Sequence, residues 1–166
     1  MLTIIANICN NNVIGRDGDL VVNLPEDMKN FRDLTLGSTV IMGRKTWLSL
    51  PVKPLPKRTN IVLSSLGSLA CINGAIVTSE LMEVADYYSR DCHDAYVIGG
   101  SQIYEKFLPY CKRMILTRTY ANIEGDTYFP EFNSKDWDKK ILKSGISDGY
   151  KYVIFELNRK DLNNEV

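Results

Sequence analysis

Apolar and polar positions along the chain fall into two alternating patterns, short continuous apolar runs and longer segments with helical spacing. Residues 2–9, LTIIANIC, read as a buried strand. NNNVIGRDGDLVV follows and is rich in Asn, Gly and Asp, so it reads as a loop, long for a connection in a compact domain and of a length used for lids and binding loops. Pro25, a good first-turn residue, opens a helix that ends near Gly37. STVIMG is a short strand ending at Gly43, and RKTWLSL is a short helix stopped by Pro51, Pro54 and Pro56. TNIVLSS and GAIVTS are further strands. Ser79 can cap a helix with Leu81, Val84, Ala85 and Tyr88 on one face. AYVIGGSQIYEKFLP reads as strand, glycine turn and helix with Pro109 as the stop, and RMILTRT as a strand. Near the C-terminus, two strand-like runs flank ISDG, which predicts an antiparallel hairpin closing one sheet edge. Alternating β and α over the first two-thirds implies an α/β fold, a mostly parallel sheet with helices on both faces.

One position breaks the pattern. In NLPEDMKNF, helical spacing puts Asp27 on a stripe with Met28, Phe31, Leu34 and Thr35. A first-turn acid that favours the helix dipole and stays in water is one explanation. The other is a carboxylate in an apolar cleft that partners a polar ligand. Burial raises a carboxylate pKa and a helix N-terminus lowers it, so a part-buried acid here should be modestly raised yet ionisable near neutrality. That suits binding, or assisting protonation of, an amidine-like heterocycle.

Two glycine turns precede helices. In VIGGSQIY, Gly99 and Gly100 end a strand and Ser101 would cap the next helix, whose free N–H groups could take a phosphate. A plain βα turn reads the same way, and the spacing is not G-x-G-x-x-G. In MGRKTW, Gly43 precedes Arg44, Lys45 and Thr46, either a second anion site or a solvated basic turn; its glycine spacing is not that of a P-loop. Arg58 emerges from the proline-stiffened PLPKR turn, and arginine suits bidentate carboxylate recognition. Ser64 and Ser65 close a parallel strand, where α/β folds bind ligands. His93 lies in a polar connection, and Trp47 and Trp137 read as packing residues.

Composition narrows the picture. The 166 residues fit one domain, residues 1–166, able to bury about two-thirds of its unfolded surface. Lys plus Arg and Asp plus Glu balance at 20 each, so charge offers no argument for nucleic acid or a membrane surface. Cys9, Cys71, Cys92 and Cys111 show no C-x-x-C spacing and there is one histidine, so no metal site is expected and the thiols read as buried small hydrophobes. No basic leader or membrane-length apolar run is present, and a cytoplasmic protein is expected, monomeric by default. Together, one inward acid, two glycine turns and one arginine predict a cleft for a phosphate-rich cofactor and an acidic, partly aromatic substrate.

The order and spacing of NNVIG, NLPEDM, VIMGRKTW, PLPKRTNIVLSS, VIGGSQIYEKFLP, ILTR and EGDTYFP closely resemble the dihydrofolate reductase family, in its monomeric chromosomal or phage-type form, over nearly the whole chain. The resemblance implies a three-layer αβα fold: a central eight-stranded, mostly parallel sheet, an antiparallel C-terminal hairpin and about four flanking helices. It implies NADPH-dependent reduction of 7,8-dihydrofolate to tetrahydrofolate. Hydride would pass from nicotinamide C4 to pterin C6, with water as the proton source for N5. By the same resemblance, Asp27 would bind the pterin 2-amino group and N3. Ile5, Met28, Phe31, Leu50 and Leu55 would wall the substrate, Arg58 would clamp its glutamate carboxylate, and Thr117 would bond the acid. Asn7, Ile14, Gly15 and Leu20 match the nicotinamide surroundings. Gly99, Gly100, Ser101, Gln102 and Ile103 match the pyrophosphate turn, with a cis Gly-Gly bond. Gly43, Arg44, Lys45 and Thr46, with Ser64 and Ser65, match the adenosine-phosphate side, and their charge favours NADPH over NADH. Asp126 matches a residue that steadies the loop over the site. Antifolate inhibitors are implied ligands.

The chain departs from the family pattern in places. Val21-Val22 stand where Pro-Trp is usual, so the indole that holds a water beside the acid is absent; a slower enzyme with altered antifolate affinity is expected. Asn7 stands where a small apolar residue is common. SLPVKPLP is one residue longer than the usual turn, leaving the alignment of Lys53 open. Two other readings use the same residues. A related pterin or pyrimidine reductase would not need Arg58, and a folate- or dinucleotide-binding protein without turnover would be consistent with Val22.

Overall fold

A computed structural model describes residues 1–67, 72–90 and 93–160. Its centre is an eight-stranded sheet built from β1 (Leu2–Ile8), β4 (Thr39–Gly43), β5 (Thr59–Leu63), β6 (Ile76–Thr78), β7 (Ala95–Gly99), β8 (Arg113–Thr119), β10 (Trp137–Ser147) and β11 (Tyr150–Arg159). The order is β10-β11-β8-β1-β7-β4-β5-β6. From β8 to β6 the neighbours run parallel, while β11 joins β8 and β10 antiparallel. The strands β1, β4 and β7 are buried almost throughout, which explains their near-continuous apolar sequence.

The strand period of two divides the core. Leu2, Ile4, Ala6 and Ile8 of β1 face a cluster that takes in Ala85 of α3 (Leu81–Ser89) and Tyr104 and Phe107 of α4 (Ser101–Phe107). Ile5 faces the other side, in a cluster with Ile115, Tyr152 and Ile154, where Phe31 and Leu34 of α1 (Pro25–Thr35) pack. Farther along that face, Val40, Met42 and Val62 pack with Trp47 of α2 (Arg44–Ser49). Ile98 borders both of these clusters, so the face carries two cores with a cleft between α1 and α2. Trp47 and Trp137 are buried, as their packing role requires.

Several expectations are corrected. The segment after β1 is not an unstructured loop. It carries β2 (Val13–Arg16) and β3 (Asp19–Leu20), which pair antiparallel, and β2 also pairs with β9 (Thr127–Tyr128) in a second, three-stranded sheet. Asp17 and Gly18 both have positive φ, the turn that an Asp-Gly hairpin adopts. Ser79 does not cap α3: the N-cap is Glu80, without a side-chain capping bond, and the Ser79 hydroxyl donates to Glu80 instead. Ser101 is the first residue of α4 and not its cap, and its hydroxyl donates to the Tyr128 carbonyl at 2.6 Å. At the C-terminal hairpin, β10 runs on through Ile146 and Ser147, and only Asp148-Gly149 forms the turn. Cys9 and Cys111 are buried, and burial pushes the Cys111 thiol up to about 12; Cys71 and Cys92 lie outside the described residues. Among the described residues no helix is long and apolar enough to cross a membrane, and no cluster of potential metal ligands occurs.

Candidate functional site

Asp27 enters the cleft from the first turn of α1, which begins at Pro25 with Leu24 as N-cap. Its Oδ1 accepts the Thr117 hydroxyl at 2.5 Å, and its Oδ2 accepts the Asn7 amide at 3.2 Å. The amide oxygen of Asn7 in turn accepts the Thr119 hydroxyl at 2.7 Å. These partners come from β1 and β8, which run parallel with Asn7 opposite Thr117. Asn7, Thr117 and Thr119 therefore form a polar stripe on the sheet face that otherwise carries Ile5 and Ile115. Burial raises the carboxyl pKa, and the bonds from Thr117 and Asn7 partly offset it. The acid is in the cleft, not in water.

The apolar residues named with it are open to different degrees, Ile5 and Phe31 packing in one cluster of this sheet face and Leu50 and Leu55 in the other. Ile5 is buried; Phe31, Leu50 and Leu55 are half-buried; Met28 is 45% exposed and Leu20 53% exposed. Large apolar side chains left partly open on the face that carries the acid offer surface to a flat ligand. Arg58 lies at the outer end. Its Nε donates to Thr35 Oγ1 at 2.8 Å, and its terminal nitrogens donate to the carbonyls of Pro56 at 2.6 Å and Arg32 at 3.2 Å. Its guanidinium also lies 5.9 Å from the Phe31 ring centroid. One N–H remains on each terminal nitrogen, the pair a carboxylate can grip.

Two residues that sequence reasoning left without a role hold this arginine. Thr35, fully buried, donates its hydroxyl to the Phe31 carbonyl while accepting from Arg58. Asn60, buried at the start of β5, bonds both the N–H and the carbonyl of Leu55 and the carbonyl of Arg58. A polar residue inside an apolar strand is the signal that could have found Asn60. The longer turn resolves the position of Lys53: its ammonium donates to the carbonyls of Trp47 and Leu48 at the end of α2.

The two glycine turns meet, because β4 and β7 are neighbours and both turns leave their C-terminal ends. A Cβ on Gly43 would lie 3.0 Å from Ile103 Cγ1, and one on Gly100 would lie 3.4 Å from Thr46 Oγ1. The Gly99–Gly100 bond is cis. Neither α2 nor α4 has an acid in its first turn or a side-chain cap, whereas α1 and α3 carry first-turn acids. The first turns of α2 and α4 therefore have neither a side-chain cap nor an acid to offset their N–H groups, a setting that fits phosphate oxygens. Arg44 and Lys45 are exposed beside them. Ser64 is buried and accepts the Leu66 N–H at 3.3 Å; Ser65 is exposed, as is Gln102.

Ile14 and Gly15 are buried in β2, and the strand is tied to Asp126. The Asp126 carboxylate accepts the Asp17 N–H at 2.9 Å and the Thr127 hydroxyl at 2.8 Å, and its own N–H donates to the Gly15 carbonyl at 3.1 Å. These bonds hold the Asp126 carboxyl below its usual range. Val22 is buried among Ile5, Cys9, Val13 and Leu24 and offers no donor to the cleft. His93 is exposed and stacks on Tyr87 with ring centroids 5.5 Å apart, outside the cleft.

The family model for dihydrofolate reductase matches residues 1–159. A dihydrofolate reductase of Neisseria gonorrhoeae is 42% identical over 152 residues, covering 88% of this chain and 93% of the relative. One from Bacillus subtilis is 36% identical over 161 residues and covers 94% of both chains. Among solved structures, the dihydrofolate reductase from Enterococcus faecalis complexed with NADP(H) and RAB-propyl superposes with a TM-score of 0.87 at 31% identity, over 97% of each chain. With the strand order, the inward acid and the paired glycine turns, these similarities lead to one conclusion: this chain belongs to the dihydrofolate reductase family.

Proposed function

We propose that this chain reduces 7,8-dihydrofolate to 5,6,7,8-tetrahydrofolate with NADPH, acting as a single-domain cytoplasmic monomer. The observation that carries the reading is a single carboxylate in an apolar cleft, flanked at one end by Arg58 and near the other by two uncapped glycine turns. Asp27 accepts the 2-amino group and N3 of the pterin, and its negative charge favours protonation at N5, which water delivers. Ile5, Met28, Phe31, Leu50 and Leu55 enclose the pterin and benzoyl rings, and Arg58 grips the glutamate carboxylate. Gly43, Gly99 and Gly100 let backbone approach the cofactor diphosphate, and Arg44 and Lys45 favour the additional phosphate of NADPH. NADPH, when bound, supplies the hydride. The protein supplies placement and a dry, charged environment. The hairpin of β2 and β3, held by Asp126, is positioned to cover the nicotinamide end.

The test is loss of the reduced-nicotinamide absorbance when dihydrofolate is added to the protein with NADPH. The expected result is folate-dependent oxidation, faster with NADPH than with NADH, that falls by about two to four orders of magnitude in Asp27→Asn. Tight binding of both ligands without oxidation would instead support a binding protein that has lost turnover.

A further inference from the structure

The carboxylate of Asp27 has a second tether, distinct from Thr117. An ionised carboxylate only accepts hydrogen bonds, so the group facing Oδ2 must be the NH2 of Asn7. That leaves the Asn7 oxygen pointing away, where the Thr119 hydroxyl meets it at 2.7 Å. Thr119 is fully buried, so its proton has this acceptor in place of water. The chain Thr119–Asn7–Asp27 thus fixes the amide orientation without ambiguity. Val22 contributes no polar atom, and the donors to the acid come from the two strands beneath it.

We propose that Asn7 is a positioning residue for the substrate acid: its amide, oriented by Thr119, holds Oδ2 of Asp27 as Thr117 holds Oδ1, leaving each oxygen one lone pair for the heterocycle. The geometry has two consequences. The carboxylate plane is set before substrate arrives, so a flat amidine edge meets both oxygens without a rotamer search. The anion also gains a charge-assisted hydrogen bond inside a buried site, which opposes the effect of burial on its protonation. The titratable groups nearest in the fold do not substitute for it. Tyr104 from α4 is buried and neutral, its hydroxyl donating to the Ile5 carbonyl at 2.8 Å, and burial pushes its ionisation far up. Glu26, next to Asp27, is paired with Lys143 of β10 at 2.5 Å.

The inference rests on Asp27 being the pterin acid, and its test is built to separate the two. The primary readout is the carbon-13 titration of the Asp27 carboxyl in ligand-free protein, where turnover plays no part. Asn7→Ala should move the midpoint up by about one to two pH units, the weight of one hydrogen bond to a charged group. Thr119→Val should move it in the same direction by less, and the double variant should match Asn7→Ala alone, because Thr119 acts through Asn7. The pH profile of kcat/KM for dihydrofolate should shift in parallel. An unmoved midpoint in either single variant, or shifts that add fully in the double variant, would overturn the proposal. If the midpoints shift as expected but Asp27→Asn retains turnover, the tether stands as geometry, while its catalytic purpose and the reading of Asp27 fall together.

Discussion

At the scale of single residues, the cleft is organised by polar groups placed where apolar ones would be more stable. Asp27 is the clearest case. Burial lifts its carboxyl above the value it has in the unfolded chain. Between those two values the folded chain retains a proton that the unfolded chain has released, so stability falls as pH rises through that window. Above it, the full cost of the buried anion is present; below it, both states are protonated and the cost vanishes. Asp27→Asn should therefore unfold at a higher temperature than the parent at neutral pH, and the difference should shrink as pH drops below the ordinary carboxylate range. Ligand-free thermal melts across pH check this. A variant that is inactive yet more stable would mark the acid as retained for binding at the expense of folding.

At the scale of elements, the second sheet, of β2, β3 and β9, is built of short strands, and its stability depends on one close approach. A Cβ on Gly125 would collide with Val13 Cγ1 and the Gly15 carbonyl oxygen, both in β2. Gly125→Ala should therefore push β9 off β2 and loosen the Asp126 bonds that anchor the hairpin, leaving the eight-stranded sheet intact. The expected result is faster amide hydrogen exchange at Asp17 and Asp126, slower turnover, and a loss of global stability of about 1–3 kcal/mol. Unchanged exchange at those two amides would show that the approach is slack. The opposite edge of the large sheet meets a different demand. β10 is an edge strand with Ile141 and Ile146 exposed, but Lys139, Lys140 and Lys143 punctuate it and a bulge breaks its register between Ile141 and Lys143. Charge and a bulge are the features that discourage another strand from adding to an edge.

At the scale of the whole molecule, ligand and fold stabilise one another. The residues proposed for the phosphate side come from α2, α4 and the ends of β4, β5 and β7, so a cofactor bound there ties together elements far apart in sequence, Gly43 and Gly99 being 56 residues apart. NADPH at a hundredfold excess over its Kd should stabilise the protein by about 2.7 kcal/mol, or roughly 5–10 °C for a domain of this size. Differential scanning fluorimetry with NADPH and NADH reads this directly. Equal shifts at equal concentrations would argue that Arg44 and Lys45 do not engage the extra phosphate.

The alternation of apolar runs with helical spacing was enough to determine the parallel sheet, its flanking helices and the C-terminal hairpin, because burial on both faces demands those periods. The same spacing put Asp27 on an inward stripe, and the motif set carried Arg58, the glycine turns and the family. Local sequence could have revealed the hairpin at Asp17-Gly18 as well, since Asp-Gly is the turn's own signature, though a run rich in Asn, Gly and Asp reads first as loop. What local sequence could not contain was pairing between distant segments. The capping role expected of Ser101 failed because folding brought the Tyr128 carbonyl to its hydroxyl, whereas Ser79 turned to its own sequence neighbour, Glu80. Asn60 braces the Arg58 turn through bonds local in sequence, whereas Thr35 acquired its hold on Arg58 only through packing of α1 against the turn. Asn7 likewise became a partner of Asp27 only when β1 lay beside β8 beneath α1, because a hydrogen bond depends on distance and direction in space, and sequence separation specifies neither.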